Sequence, residues 1–182
     1  MYKLLVFFIL SIPIIIISWR AILKPRSHGF YRFIGWECVL WLLIHNILYW
    51  FVDPFSISQI IAWICLIYSL ILLIPGVILM KRLGKPKNNR GDSSLYTFEQ
   101  TSELIDTGIF KYIRHPLYGS LIFLTWGTFL KNPRIDLLFI SFIASMAFVI
   151  TAKIEEKEII AFFGEKYRKY MKRSKMFVPY IF

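Results

Sequence analysis

Two short polar segments of this chain carry residue types that could bind or transform a small molecule. The first, DTGIFKYIRHPLYGS at residues 106–120, places Arg114 and His115 directly before Pro116. Proline suits the first turn of a helix and biases the residue before it toward extended backbone, so we expect a helix to begin at Pro116. Backbone N–H groups at a helix start attract anions, which predicts a carboxylate or phosphate site. An aromatic belt at a membrane interface, with a snorkelling arginine, is the alternative.

The second segment begins with adjacent acidic residues, Glu155 and Glu156, which directly follow an apolar run. Acidic side chains at a membrane edge are costly unless they are solvated, paired or functional. Helical spacing places Glu155 in one stripe with Ile159 and Phe163, so we expect its carboxylate to face the protein. Two interpretations stay open at this point, a salt-bridged pair at the membrane surface and a pair that binds a ligand.

The residues after this pair predict a helix end and then a surface helix. Gly164 is the expected end of the helix that carries the two glutamates. The following EKYRKYMKRSK is strongly basic and predicts an amphipathic C-terminal helix on the membrane surface. In that helix we expect Tyr167, Tyr170 and Met171 to face the lipid.

Five apolar runs predict the elements that position these segments. The chain has 57% hydrophobic residues and a mean hydropathy of +0.59, which is too apolar for a soluble protein of 182 residues. Because a membrane span needs roughly 20 apolar residues, we predict an all-α integral membrane protein with about five transmembrane helices. The runs are Leu4–Leu23, Phe33–Val52, Ile57–Met80, Leu117–Leu130 and Ile135 to about Ala152.

The placement of basic residues predicts how these helices are oriented. All but three of the 22 Lys and Arg residues lie in residues 20–32, in residues 81–116 or after Ala152. Lys and Arg are retained in cytoplasmic loops, so we place the N-terminus outside and the C-terminus in the cytosol. We treat residues 1–182 as a single membrane domain, with three N-terminal spans in residues 1–80 and a catalytic half with two spans in residues 81–182.

Several common functions are disfavoured by the same sequence. The net charge of +11 is explained by the Lys and Arg residues that membrane proteins retain in cytoplasmic loops, so it does not indicate nucleic-acid binding. Cys38 and Cys65 both lie in apolar runs and predict neither a disulfide framework nor a metal site. The chain contains no G-x-G loop, P-loop, H-E-x-x-H or G-x-S-x-G motif.

Taken together, the two polar segments resemble the isoprenylcysteine carboxyl methyltransferase family of integral membrane methyltransferases. The first family pattern is a Leu-rich segment, Gly, an aromatic residue and then R-H-P-x-Y-x-G. In this chain Ser120 stands at the position of the final Gly, and the glycine, Gly119, comes one place earlier. The second is E-E-x-x-[LI]-x-x-x-F-G-x-x-Y-x-x-Y. The matching residues are Leu104, Ile105, Gly108, Phe110, Arg114, His115, Pro116, Tyr118, Gly119, Glu155, Glu156, Ile159, Phe163, Gly164, Tyr167 and Tyr170.

The resemblance implies S-adenosylmethionine as the methyl donor, bound at the cytosolic membrane face, with S-adenosylhomocysteine as product. Phe110 stands where the family usually has Tyr, so any hydroxyl contact there is lost. We predict Arg114, His115 and Glu156 as catalytic. A thiol or amine acceptor would need a general base, for which His115 or Glu156 is the candidate. The residues that match the family's cofactor-binding positions are Leu104, Ile105, Phe110, His115, Pro116, Leu117, Tyr118 and Glu155.

The methyl acceptor is less well specified. We expect a lipophilic acceptor that enters from the membrane lipids between the helices. Thr151 stands where the prenylcysteine enzymes have an Arg associated with the acceptor, which weakens the case for a carboxylate. Ser174 and Lys175 also replace the family's usual Val-Pro, a departure that we expect to be peripheral.

Three other functions remain as alternatives. A phospholipid N-methyltransferase shares the donor and a similar glutamate pair, although we would expect a G-x-G cofactor loop in it. A sterol-type reductase has R-H-x-N-Y-x-G-D, from which Pro116, Leu117 and Ser120 depart. A non-enzymatic lipid-binding membrane protein would bind no cofactor at all.

Overall fold

The computed structural model describes residues 2–84 and 103–180, and within these ranges it is built from α-helices. Each predicted apolar run lies mainly in one of them, but α2 ends at Asn46, six residues before the predicted Val52, and a 3-10 turn at Ile47–Tyr49 follows it. The predicted C-terminal surface segment forms the sixth helix. Most of the polar stretch between the third and fourth runs lies outside the described residues. The helices are α1 (Tyr2–Ile22), α2 (His28–Asn46), α3 (Ile57–Leu83), α4 (Pro116–Phe129), α5 (Ile135–Phe163) and α6 (Glu165–Arg173).

Three of these helices, α1, α3 and α5, are long and apolar enough to cross a membrane. The α4 helix has 14 residues and would be only about 21 Å long at 1.5 Å per residue, shorter than the roughly 30 Å hydrocarbon core. The α2 helix has 19 residues but carries Arg32 and Glu37. Five crossings, the orientation of the helices and the division at residue 80 therefore stay predictions.

Local sequence explains several helix boundaries. The side chain of Ser27 accepts a hydrogen bond from the backbone N–H of Phe30 and so caps α2. Pro116 is the first residue of α4, as predicted. Gly164 ends α5 with a φ of 57°, a conformation that side chains disfavour. As predicted, the helix that carries the glutamate pair ends at Gly164, and α5 continues to it without a break from the apolar run that ends near Ala152.

The helices pack in neighbouring pairs, with α1 on α2, α2 on α5 and α3 on α4. Gly35 allows a close approach, since a Cβ atom there would lie 2.5 Å from the ring of Phe148. Phe148 is fully buried in a core shared with Val39 and Tyr118. Apolar side chains on the outer faces of α1, α3 and α5 are exposed, as expected of helices that face lipid.

A polar cluster ties the loops together at the end of the bundle where α3 and α5 begin. Lys131 is buried, and its Nζ donates to Oε1 of Gln59 over 2.9 Å and lies 3.7 Å from the ring centroid of Trp63. The amide of Gln59 in turn donates to the carbonyls of Tyr49 and Lys131. This cluster joins the α2–α3 and α4–α5 connections.

At the other end, the C-terminal tail returns to the bundle and pairs with the residues before α4. Ile113 and Lys175 form a parallel bridge, in which the N–H of Arg114 donates to the carbonyl of Lys175 over 2.8 Å. The N–H of His115 donates to the carbonyl of Met176 over 3.0 Å. Met176 and Phe177 are buried in the core. Lys175, whose departure from the family pattern we expected to be peripheral together with that of Ser174, therefore lies directly against the segment that contains Arg114.

Candidate functional site

An open cavity lies where the ends of α3 and α5 meet the start of α4; its empty space is about 650 Å³, part of which is open solvent. It brings together every residue that we predicted to bind the cofactor, and it also includes Arg114. Glu156, predicted as catalytic, does not line it. The lining residues are Met80, Glu103, Leu104, Ile105, Phe110, Arg114, His115, Pro116, Leu117, Tyr118, Glu155, Ile159, Phe163, Tyr167 and Tyr170.

The backbone before α4 shapes one wall of this cavity. Gly108 has a φ of 58° and begins a short 3-10 turn that ends at Lys111. A Cβ atom at Gly108 would lie 2.6 Å from a methyl group of Leu79, so both its conformation and its neighbour favour glycine. The same turn buries Phe110 against the cavity. His115 follows with φ −121° and ψ 62°, outside the helical region, and α4 then begins.

His115 lies between the two carboxylates of the glutamate pair. Its Nδ1 is 3.9 Å from Oε2 of Glu155, which lines the cavity, and its Nε2 is 3.4 Å from Oε1 of Glu156. The ring is buried, stacks on Tyr118 with 5.7 Å between ring centroids and lies near Phe177. The two segments that are 40 residues apart in sequence therefore meet at this imidazole.

Arg114 holds Glu156 behind the cavity wall. Its Nε donates to Oε1 of Glu156 over 2.7 Å, and both side chains are largely buried. Its Nη1 donates to the carbonyl of Ser174 and, over 3.4 Å, to that of Met171. Buried ion pairs of this kind need further hydrogen bonds to offset desolvation, and the carbonyls of Met171 in α6 and of Ser174 directly after it supply them. Arg114 thus joins the glutamate pair to the C-terminal tail.

The tyrosines of α6 face the protein, so the prediction that Tyr167 and Tyr170 face lipid was wrong. Their exposed fractions are only 2% and 3%, and both line the cavity. The hydroxyl of Tyr170 donates to the carbonyl of Phe110 over 2.5 Å. Burial, reinforced by the charges of Glu156 and Glu155, raises the pKa of Tyr167 far above its ordinary value, so its hydroxyl stays protonated at neutral pH.

The predicted stripe on α5 is present and continues further than we expected. Ile159 and Phe163 line the cavity with Glu155, whereas Lys157 and Glu158 are exposed. Tyr167 follows Phe163 by four residues and Tyr170 follows Tyr167 by three, so the helical spacing continues past Gly164. This spacing could have predicted from the sequence that both tyrosines face the cavity. Met80 and Glu103 also line the cavity, but neither belonged to a recognisable pattern.

Position 151 contributes no charge to the site. Thr151 is fully buried, and its hydroxyl donates to the carbonyl of Ala147 within the same helix over 2.7 Å. The nearby Lys153 is exposed. Among the described residues that line the cavity, Arg114 is the one Lys or Arg side chain, and it is already paired with Glu156. In the part of the chain that the structure describes, no three His, Cys, Asp or Glu side chains are grouped so that they could hold a metal ion.

Comparison with known proteins adds independent findings. The family model described as phospholipid methyltransferase matches residues 58–166, which include both polar segments, although the chain has no G-x-G loop. Methanethiol S-methyltransferase of Pseudomonas deceptionensis is 31% identical over 71 residues, and that of Crocosphaera subtropica (strain ATCC 51142 / BH68) is 32% identical over 72 residues. These alignments cover 39% and 40% of this chain but only 26% and 28% of the relatives. No solved structure was found to match.

Proposed function

The chain belongs to the phospholipid methyltransferase family, and from this premise we propose that its cavity binds S-adenosylmethionine and transfers the methyl group to a thiol. The observation that carries the proposal is the meeting of the Arg-His-Pro segment with the glutamate pair at one open cavity. When bound, the sulfonium group supplies an electrophilic methyl. The protein's part is to orient the acceptor and to keep water away.

The residues that line the cavity fit such a donor. The start of α4 presents the positive end of a helix dipole, which suits the carboxylate of the amino-acid moiety. The aromatic rings of Phe110 and Tyr118 suit an adenine ring and a sulfonium group. Glu155 supplies carboxylate oxygens that can accept hydrogen bonds from ribose hydroxyls or from an ammonium group.

A thiol is the acceptor that this site favours. The relatives that match this chain are named methanethiol S-methyltransferases, and a thiol enters an apolar site without the large desolvation cost of a carboxylate. A carboxylate acceptor would favour an arginine, but Thr151 is buried and bonded within its own helix. Met80 and Leu117 give the cavity an apolar side, which suits an acceptor that is small or lipophilic enough to arrive through the membrane.

A phospholipid amine is the second candidate acceptor, and the family description favours it. It would place a head group at the cavity while its acyl chains stay between the helices. The two acceptors differ in the product, a methyl thioether or a methylated amine, so one assay separates them.

We also place the cavity on the cytosolic side of an integral membrane protein. The ends of α1, α3 and α5 that carry most of the basic residues are the ends beside the cavity, whereas Lys3, Lys131 and Arg134 lie at the other end. A soluble donor would then enter from the cytosol, and the acceptor from the membrane.

Binding of S-adenosylhomocysteine to the purified protein in detergent tests the donor site. We expect Glu155→Gln to weaken binding at least tenfold, about 1.4 kcal/mol, because an amide accepts hydrogen bonds less strongly than a carboxylate and carries no charge. Glu165→Gln, an exposed change on α6, should leave affinity unchanged. Equal affinity in wild type and Glu155→Gln would contradict the assignment, and no binding at all would favour a non-enzymatic lipid-binding protein.

The acceptor is identified by transfer of a radiolabelled methyl group from the donor. The panel comprises a short alkanethiol, a farnesylated cysteine and vesicles that contain phosphatidylethanolamine. We expect label in the thioether of the alkanethiol. Label only in the lipid or only in the carboxylate would contradict a thiol acceptor while leaving the methyltransferase assignment intact.

A further inference from the structure

The two carboxylates beside His115 occupy unlike environments. Glu155 lines the cavity, whereas Glu156 lies behind the wall and is paired with Arg114. One ring nitrogen of His115 is turned toward each of them, Nδ1 toward Glu155 and Nε2 toward Glu156. The imidazole is thus a bridge from a buried ion pair to the open cavity.

The geometry decides which nitrogen carries the proton of a neutral imidazole. Glu156 is ionised in its pair with Arg114, and an ionised carboxylate only accepts hydrogen bonds. Nε2 makes no hydrogen bond at the 3.4 Å that separates it from Oε1 of Glu156, but it is nearer to a carboxylate than Nδ1, which is 3.9 Å from Glu155, so the negative charge of Glu156 favours a proton on Nε2. The proton therefore resides on Nε2, and the lone pair of Nδ1 faces the cavity side.

We propose that Nδ1 of His115 is the general base that removes the acceptor's proton, and that Glu156 and Arg114 are positioning residues that fix this tautomer. This inference rests on the proposed function, in particular on an acceptor that carries an S–H proton. It gives separate roles to Arg114, His115 and Glu156, which we predicted together as catalytic residues from the sequence. Glu155 serves the donor, and Glu156 serves the histidine.

The proton and the electrons are accounted for in one step. The S–H bond of the thiol breaks as its proton moves to Nδ1, and the sulfur lone pair forms the new bond to the methyl carbon. The bond between that carbon and the donor's sulfonium breaks, and its electron pair stays on the donor sulfur as a neutral thioether. The positive charge now resides on the imidazolium of His115, which releases a proton to water before the next turnover.

The buried pair also explains how this arrangement is kept rigid. Arg114 is anchored by carbonyls of Met171 and Ser174, and the backbone N–H of His115 is bonded to Met176. Both anchors come from the C-terminal part of the chain. The groups that can titrate or carry charge around the imidazole are Arg114, Glu155, Glu156 and the raised-pKa Tyr167.

Two thiols that differ in ionisation test the inference at pH 7.5 with the full-length protein. An alkanethiol must lose a proton during the reaction, whereas a nitrobenzenethiol is already ionised and needs no base. We expect Glu156→Gln to lower turnover of the alkanethiol at least 30-fold, less than the roughly 10²–10⁴-fold that a general base typically contributes, because His115 itself stays in place. Turnover of the ionised thiol should change less than threefold. Affinity for S-adenosylhomocysteine should also stay within threefold.

Comparing the two thiols on the same variant removes effects of folding and of donor binding, because both acceptors share them. His115→Gln is the second variant; because His115 also lines the donor cavity, both rates should fall, and the rate for the alkanethiol should fall at least 30-fold further than the rate for the ionised thiol. Glu165→Gln is the control and should change neither rate. Equal loss for both thiols, or no loss for either, would overturn the inference and leave the Arg114 pair as a structural clamp.

Failure of the proposed function gives a different result. A wild-type protein that binds no S-adenosylhomocysteine contradicts the methyltransferase assignment itself. A wild-type protein that binds it but methylates neither thiol overturns the role of His115 and the thiol acceptor together, without affecting the donor site.

Discussion

Truncating Phe177 tests whether the C-terminal tail holds the candidate site in place. The ring is 3% exposed and packs in the core with Tyr118 and Phe148. Phe→Ala changes in a core cost roughly 3–5 kcal/mol, because apolar contact is lost and a cavity remains. The tail that would loosen carries the carbonyl bonded to the N–H of His115. If that free energy is lost from the docking of the C-terminal tail onto the bundle, the population of molecules with a detached tail rises roughly 100-fold or more.

The assay is thermal unfolding in detergent together with affinity for S-adenosylhomocysteine. Phe177→Ala should lower the unfolding midpoint and weaken binding, since the Arg-His-Pro segment loses its partner. Tyr180→Ala is the matched control in the same tail, because Tyr180 is 81% exposed and should change neither quantity. If Phe177→Ala unfolds at the same temperature as Tyr180→Ala, the tail is not part of the core and the reasoning fails.

Two further predictions concern the other end of the bundle and the orientation. Lys131→Met should destabilise the protein by about 2 kcal/mol in thermal unfolding, since it leaves Oε1 of Gln59 without its donor and removes the cation from the Trp63 ring. The control is Arg134→Met, which removes an exposed pair with Asp136 and should cost under about 1 kcal/mol. Equal loss of stability in the two variants would refute a special role for the buried lysine. An impermeant maleimide applied to intact cells should label Phe55→Cys but not Lys172→Cys in a background without Cys38 and Cys65, and the reverse pattern would invert the proposed orientation.

Much of the bundle could be predicted because its determinants are local. Apolar runs of sufficient length fold as helices in lipid, where every backbone group must be bonded internally. Pro116 and Gly164 mark a helix start and a helix end through their own backbone preferences. The stripe from Glu155 to Phe163 depends on helix periodicity alone, which is why its protein-facing side could be predicted; that side lines the cavity.

The parts that failed depend on contacts between distant residues. The α6 helix is so rich in Lys and Arg that composition favours a membrane surface, yet Tyr167 and Tyr170 are buried against the segment that contains Phe110. The tail around Met176 is too short to show any periodicity. Its pairing with residues 112–115 is set by the tertiary fold, as register between distant strands generally is.

The glutamate pair shows how neighbouring residues of one type acquire separate roles. Successive residues on a helix point about 100° apart, so a carboxylate that faces the cavity at Glu155 turns the next one, Glu156, toward Arg114. Their partners then distinguish them, because Glu155 lines the cavity and is accessible to a ligand, while Arg114 neutralises Glu156. In the proposed mechanism, Nδ1 of the histidine between them can accept a proton because Glu156 holds the other proton on Nε2. That division requires helix geometry at residues 155 and 156, which the extension of α5 beyond Ala152 provides.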